Sequence, residues 1–154
     1  MTAKPSQEPA PAARERTGPL RVPPLIGVVN ERFWTGGRDG ELLIQHCGAC
    51  GWWNHPPSRR CRRCLAVDPK PEPVAGRGVV ASFTINHQQW SPRAAPDPYV
   101  IALVDLDEQL GLRLLTNIVN CPVRDVAIGQ RVRVVFELLD DVAIPLFEPV
   151  PATE

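Results

Sequence analysis

Cys47-Gly48-Ala49-Cys50-Gly51, followed after ten intervening residues by Cys61-Arg62-Arg63-Cys64, is the stretch on which the reading of this chain turns. In a C-x2-C pair two thiolates converge on one ion from a tight knuckle, and two facing knuckles complete a tetrahedral site with Zn–S distances of about 2.3 Å. Gly51 suits the knuckle turn, where the backbone takes a positive φ; Leu65 stands at the matching place after the second knuckle and departs from that pattern. Four buried free thiols, two disulfides or a redox C-x-x-C pair are the competing readings. The doubled spacing favours a structural zinc held by Cys47, Cys50, Cys61 and Cys64. A closed four-cysteine site leaves no position for substrate, so the metal staples a segment too small for its own core. His46 and His55 flank the knuckles and read as surface residues or outer partners of the ligands.

Outward from the cysteines, the composition constrains the rest. The chain has 154 residues, 17 basic against 17 acidic, and 44% hydrophobic residues. Its 18 prolines argue against a helix bundle. The longest apolar run, from Tyr99 to Val104, is far too short to span a membrane, and residues after Met1 lack an apolar leader. A cytoplasmic, reducing location is the expectation, which again favours metal over disulfides. Zero net charge removes the broad positive field of a non-specific nucleic-acid binder. Only Lys4 and Lys70 are lysines; the other basic residues are arginines.

Residues 1–24 hold six prolines among Ala, Ser, Thr and charges, and read as a disordered arm or linker. Asn30 is placed to cap a short helix over residues 31–38, stopped by Gly36, Gly37 and Gly40. Phe33 and Trp34 either cover the edge of the protein's own core or lead a mobile arm onto a partner. Residues 25–75 thus form an N-terminal helix and zinc ribbon, with strands at Leu42, Leu43 and Ile44 and at Trp52 and Trp53, closing on the proline-broken stretch 68–73. Residues 76–148 are strand-like. In residues 79–87, Val79, Ala81, Phe83 and Ile85 alternate with Val80, Ser82, Thr84 and Asn86. Further strands are expected at 99–106, 112–119, 131–139 and 142–147, with a turn at Asp140 and Asp141 and a helical turn within 122–129 ending at Gly129. Five strands with a short insert after the third are the plan of an OB-fold barrel. The expected fold class is therefore mainly β: N-terminal helix, rubredoxin-like zinc ribbon, five-stranded OB-fold barrel, and a tail at 149–154.

No G-x-S-x-G, P-loop, G-x-G-x-x-G or H-E-x-x-H motif occurs. Cys121 is the one remaining cysteine. A nucleophilic role would need a base, and His87, on the first barrel strand, has no evident third group, so Cys121 reads as a small buried residue at a strand end.

Phe33-Trp34, Gly40-Glu41-Leu42, Gln45, the first knuckle, Pro56-Pro57, the second knuckle, Gly76 to Gly78, Ser82-Phe83-Thr84, Pro98-Tyr99 and Ile128-Gly129 occur in an order that resembles the zinc-ribbon plus OB-fold family called domain of unknown function 35. The resemblance covers about residues 30–148. It implies a non-catalytic companion of an acyl-CoA enzyme: a subunit that forms a hetero-oligomer with a thiolase-like protein (a lipid-transfer-type thiolase or aldolase) in steroid side-chain, aromatic or lipid degradation, or alternatively with a MaoC-like enoyl-CoA hydratase. It also implies a CoA thioester as ligand shared with the partner. Residues 1–24 resemble the linker after a hydratase domain in fused members, and a free subunit with a loose arm fits equally.

Arginines bind phosphates well, which makes Arg59, Arg60, Arg62, Arg63 and Arg93 the candidates for CoA phosphates. A positive face balancing the charge of a four-thiolate zinc cluster accounts for the first four equally. Trp90 either offers an exposed aromatic to a partner or acyl chain or tucks onto the barrel mouth. The rival function is nucleic-acid binding by the ribbon and barrel. Against it, Tyr99 is the only aromatic from 99 to 119, whereas single-strand-binding OB-folds stack bases on central-strand aromatics.

Overall fold

The computed structural model of the chain describes residues 21–92 and 97–151. Most of the expected arm, Arg93 and the end of the tail lie outside these residues. Among the described residues no helix is long and apolar enough to cross a membrane.

The N-terminal helix α1 (Glu31–Thr35) is shorter than expected and tightens into a 3-10 turn over Gly36–Asp39. The glycine pair explains the change, because it brings backbone against neighbouring side chains. A Cβ on Gly36 would lie 2.7 Å from the Leu43 side chain, and one on Gly37 would lie 2.2 Å from the Phe136 ring. Gly40, at φ +78°, ends the turn in a conformation that side chains disfavour. Asn30 precedes the helix without capping it. Its Oδ1 accepts from the Gly27 amide (2.8 Å) and its Nδ2 donates to the Leu25 carbonyl (3.1 Å), so it folds the incoming strap. Phe33 is 6% exposed and belongs to the core, with Trp34 packed edge-on against it. The aromatic pair therefore covers the protein's own core.

The ribbon sheet has the order β2-β1-β3, built from β1 (Leu42–His46), β2 (Trp53–Asn54) and β3 (Lys70–Val74), all antiparallel. Strand β3 falls in the stretch expected to be broken by proline. Pro71 and Pro73 stand at alternate positions, opposite Gln45 and Leu43, so both missing donors fall on the open edge of the sheet. Proline there leaves the pairing with β1 intact and blunts the edge against other chains.

The barrel comprises β4 (Arg77–Asn86), β5 (Tyr99–Leu106), β6 (Arg113–Ile118), β7 (Arg131–Leu139) and β8 (Val142–Pro149), closed in the order β4-β5-β6-β8-β7. All neighbours are antiparallel except β6 and β8, which meet in parallel at Ile118 and Phe147. This is the five-stranded OB-fold. Val80, Val100, Val104, Leu114, Val132 and Phe147 fill it, each 1% exposed or less. The expected alternation in β4 fails at one point. A bulge between Val80 and Ser82 spends Ala81 as an extra residue, so Val80 and then Phe83 and Ile85 pack against the core. The expected helical turn is a 3-10 turn at Val123–Asp125 that stops at an extended Val126, and Gly129 (φ +83°) serves the following turn instead. The Leu139–Val142 hairpin turns on Asp140 and Asp141 as expected, with Asp140 at φ +52°.

Ribbon and barrel share one hydrophobic core, which Phe33, Leu42 and Ile44 join, and two further contacts bind them. The helix and 3-10 turn lie on β8, where Gly37 admits Phe136 and Ala143. On another side, the Gln109 side chain accepts from the Trp53 amide (2.9 Å) and donates to the Trp53 carbonyl (3.2 Å), capping the free edge of β2 like a further strand residue. Glu108 accepts from the Ala75 amide at 2.7 Å beside it. A methyl group at Gly37 would overpack the first contact: Gly37→Ala should lower unfolding free energy by about 1–3 kcal/mol, read in chemical denaturation of the zinc-loaded chain.

Candidate metal centre and neighbouring grooves

Strand β1 delivers Cys47, and the chain then makes two near-identical loops. In the first, the Cys47 amide donates to Trp52 O (2.9 Å) and the Gly51 amide to Cys47 O (2.8 Å). In the second, the Cys61 amide donates to Ala66 O (2.8 Å) and the Leu65 amide to Cys61 O (3.0 Å). Gly51 has φ +68° and Leu65 φ +62°, so Leu65 adopts the glycine-like turn despite its side chain. That conformation costs roughly 1–2 kcal/mol. The Arg60 guanidinium donates to the Leu65 carbonyl (3.1 Å) and helps to hold it.

The sulfurs of Cys47, Cys50, Cys61 and Cys64 all lie within 4.8 Å of one another. Cys47–Cys64 and Cys50–Cys61 are each separated by 3.6 Å. A tetrahedron with Zn–S bonds of about 2.3 Å has S–S edges of about 3.8 Å, so the four sulfurs fit a zinc ion. The Arg63 amide reaches Cys61 Sγ at 3.4 Å. Burial opposes ionisation of Cys61, but the Cys64 and Arg63 amides and the neighbouring thiols bring its thiol down to about 6. Cys50 in the same cluster is shifted the opposite way, raised by burial and by its thiol neighbours, so the four sulfurs share their protons unequally and a metal would displace those that remain.

Two buried amides position the knuckles. Asn54, 1% exposed, accepts from the Arg62 amide (2.8 Å) and donates to Trp52 O (3.1 Å), tying the two loops together. Gln45 accepts from the Ser58 amide at 2.7 Å and fixes the connecting loop to β1. Asn54 carries no motif signal, and its role depends on a partner eight residues away. His46 is no ligand; it stacks on Trp53 with ring centroids 4.4 Å apart and meets Glu72 at 3.1 Å. His55 packs 4.9 Å from the Phe33 ring, its Nδ1 buried without a partner. Burial first, then the nearby positive charge of Arg62, lowers its pKa to about 4.

The candidate phosphate-binding arginines separate. Arg63 lies over the Trp52 ring at 5.1 Å, and Arg62 acts electrostatically on His55. Arg59 and Arg60 line a groove of about 470 Å³, together with Arg32 from α1. A second groove of about 480 Å³ lies between helix, ribbon and barrel, lined by Trp34, His55, Leu115 and Ile144 among others, with Arg21 at its rim paired to Glu137 at 2.7 Å. Trp90 is 77% exposed, its indole N–H on Asn86 Oδ1 (2.9 Å). Cys121 is half-buried against the core, and burial, then the charge of Asp125, raises its thiol pKa; it makes no hydrogen bond among the described residues. That is a packing residue rather than an activated nucleophile.

A four-thiolate ribbon joined to a closed five-stranded barrel defines a zinc-ribbon OB-fold protein. Family models agree in both halves: the ChsH2 rubredoxin-like zinc ribbon domain matches residues 34–68 and the ChsH2 C-terminal OB-fold domain matches residues 71–137. The chain is 31% identical over 112 residues to a DUF35 domain-containing scaffold protein of Methanocaldococcus jannaschii, covering 71% of this chain and 78% of that protein. It is 36% identical over 139 residues to a "probable enoyl-CoA hydratase alpha subunit" of Thermomonospora curvata, covering 88% of this chain and spanning only 42% of that relative. Among solved structures, a chain of the Ltp2-ChsH2(DUF35) aldolase superposes with a TM-score of 0.71 at 35% identity, covering 82% of this chain and 98% of that one. The chain belongs to the DUF35 family of zinc-ribbon OB-fold proteins.

Two outcomes follow from the geometry. Cys61→Ser should abolish stoichiometric zinc binding, read by a chromophoric zinc assay, whereas Cys121→Ser should retain one zinc per chain. His55 should titrate with a midpoint of about 4 by NMR. Because this folded value is depressed below the ordinary 6.5, the stability linked to His55 is complete above pH 6.5 and is lost as pH falls toward 4, and His55→Gln should remove that contribution.

Proposed function

We propose that the chain is a non-catalytic subunit of a heteromeric acyl-CoA enzyme, pairing with a thiolase-like protein of the lipid-transfer or aldolase type. The observation that carries this reading is the match to the Ltp2-ChsH2(DUF35) aldolase, which extends over 98% of that chain and so includes both modules. The chemistry of the site supports it. A closed zinc cluster has no open coordination position. The remaining thiol, Cys121, is held in its protonated form by burial and by Asp125. In this reading the zinc organises the surface that meets the partner, and both subunits bind a CoA thioester from steroid side-chain, aromatic or lipid breakdown in the reducing cytoplasm.

The relation to the hydratase alpha subunit, which extends over 88% of this chain, favours one second reading: a partner of a MaoC-like enoyl-CoA hydratase. Nucleic-acid binding draws no support from the barrel. Its strands β5 and β6 carry Tyr99 as their only aromatic, and the arginines of β6 and β7 are held in ion pairs with acids.

Affinity purification of the tagged chain from its own cells, followed by mass spectrometry and size-exclusion chromatography, separates the readings. A stoichiometric thiolase-like protein is the expected result, and a MaoC-like hydratase would select the second reading. The purified chain alone should show no thiolase, aldolase or hydratase turnover, and activity of the isolated chain would contradict the companion role.

A further inference from the structure

Several described arginines on the barrel face carboxylates: Arg113 with Asp105 at 2.7 Å, Arg131 with Asp107 at 2.6 Å and Arg133 with Glu148 at 2.9 Å. Arg21 and Arg38 likewise meet Glu137 and Asp141. Arg32 and Arg59 form no side-chain hydrogen bond or ion pair among the described residues. Arg60 uses a single Nη1 contact, to Leu65 O. These three line the same groove although they come from separate parts of the chain, the helix and the approach to the second knuckle.

The rest of the groove wall supplies few acceptors. Its one acidic residue, Asp68, is paired with Lys70. Gln45 is 8% exposed and held by the Ser58 amide through its Oε1, so its Nε2 amide is left as a donor. Three arginines lining one groove concentrate positive charge there, partly screened by solvent, and an anion bound in the groove would offset that charge and offer acceptors to their donors. The guanidinium fork matches carboxylate and phosphate alike, and a phosphate monoester, with nearly two negative charges and three acceptor oxygens, answers three cations more fully than a single carboxylate does. The volume of about 470 Å³ is that of a small-molecule site and exceeds what a lone phosphate fills.

We propose that Arg32, Arg59 and Arg60, with the Gln45 amide, form a binding site for the phosphate monoester of a nucleotide, the 3′-phosphate end of a CoA thioester. The identity of the nucleotide rests on the acyl-CoA reading above; the anion site rests on the groove itself. Arg62 and Arg63, grouped with Arg59 and Arg60 by sequence proximity, do not line the groove, and Arg63 lies on Trp52.

The test uses the full zinc-loaded chain, titrated by NMR and calorimetry with CoA, dephospho-CoA, ATP and inorganic phosphate. CoA should shift the Gln45 side-chain amide and bind about fivefold or more tightly than dephospho-CoA, with affinity falling as salt rises. Arg32→Gln and Arg59→Gln should each weaken CoA binding by about five- to tenfold, and Arg62→Gln by less than about twofold. Both targets are exposed, and zinc content with far-ultraviolet circular dichroism verifies that each variant is folded. Failure of CoA to bind, equal affinity for CoA and dephospho-CoA, or indifference to the double substitution would overturn the site. Inorganic phosphate or ATP binding as tightly as CoA would overturn the assignment to the 3′-phosphate. Co-purification of a partner is read separately: an unaltered chain that retains its partner but binds no CoA defeats this site and leaves the companion role standing, whereas an Arg32→Gln/Arg59→Gln chain that keeps its partner and loses CoA binding is the expected outcome.

Discussion

Four thiolates drawn to within 4.8 Å of one another are the constraint on which the ribbon half of this protein depends. The ribbon sheet has only β1 as a buried strand; β2 is two residues long and β3 is an exposed edge carrying two prolines. Such a sheet buries too little apolar surface to offset the entropy of ordering its loops. A structural zinc supplies an apparent binding free energy of about 10–16 kcal/mol, which is folding free energy where no site exists in the unfolded chain. It also tolerates the strained turn at Leu65, a cost that a weakly held loop would relieve by rearranging.

The barrel obeys a different rule. Its strands close on themselves, and its apolar interior from Val80 to Phe147 needs no metal. What makes the two modules one unit is a shared core, in which Phe33, Leu42 and Ile44 join the barrel's Val80 and Phe147, together with Gly37 against Phe136 and Ala143 and Gln109 against both backbone groups of Trp53. The same frame brings α1 beside the second knuckle and so places Arg32 with Arg59 and Arg60. Order therefore passes from the cluster to the loops, from the loops to the interface with the barrel, and from both to the charged groove.

Much of this was legible in the residues. The doubled C-x2-C motif specified the cluster, and the strand-like runs after Gly78 specified a five-stranded barrel, because each signal is local in sequence. The misses share one physical origin, a dependence on non-local partners. Pro71 and Pro73 argue against a strand until their register against β1 shows that their missing donors face outward. Ala81 looks like any alternating residue until the pairing with β5 requires a bulge. Asn30 has the composition of a helix cap, yet folds the segment before it. Gln45, Asn54 and Gln109 are polar residues whose value comes from backbone groups elsewhere in the fold. Grouping Arg59 and Arg60 with Arg62 and Arg63 followed sequence proximity, whereas the structure groups the first two with Arg32.

The most direct test of this hierarchy is hydrogen exchange followed by mass spectrometry on the full chain before and after zinc removal by a chelator. Loss of protection throughout residues 42–74, with strands β4 to β8 still protected, is the predicted result. Unchanged protection of β1 and of the two knuckles in the metal-free chain would contradict it.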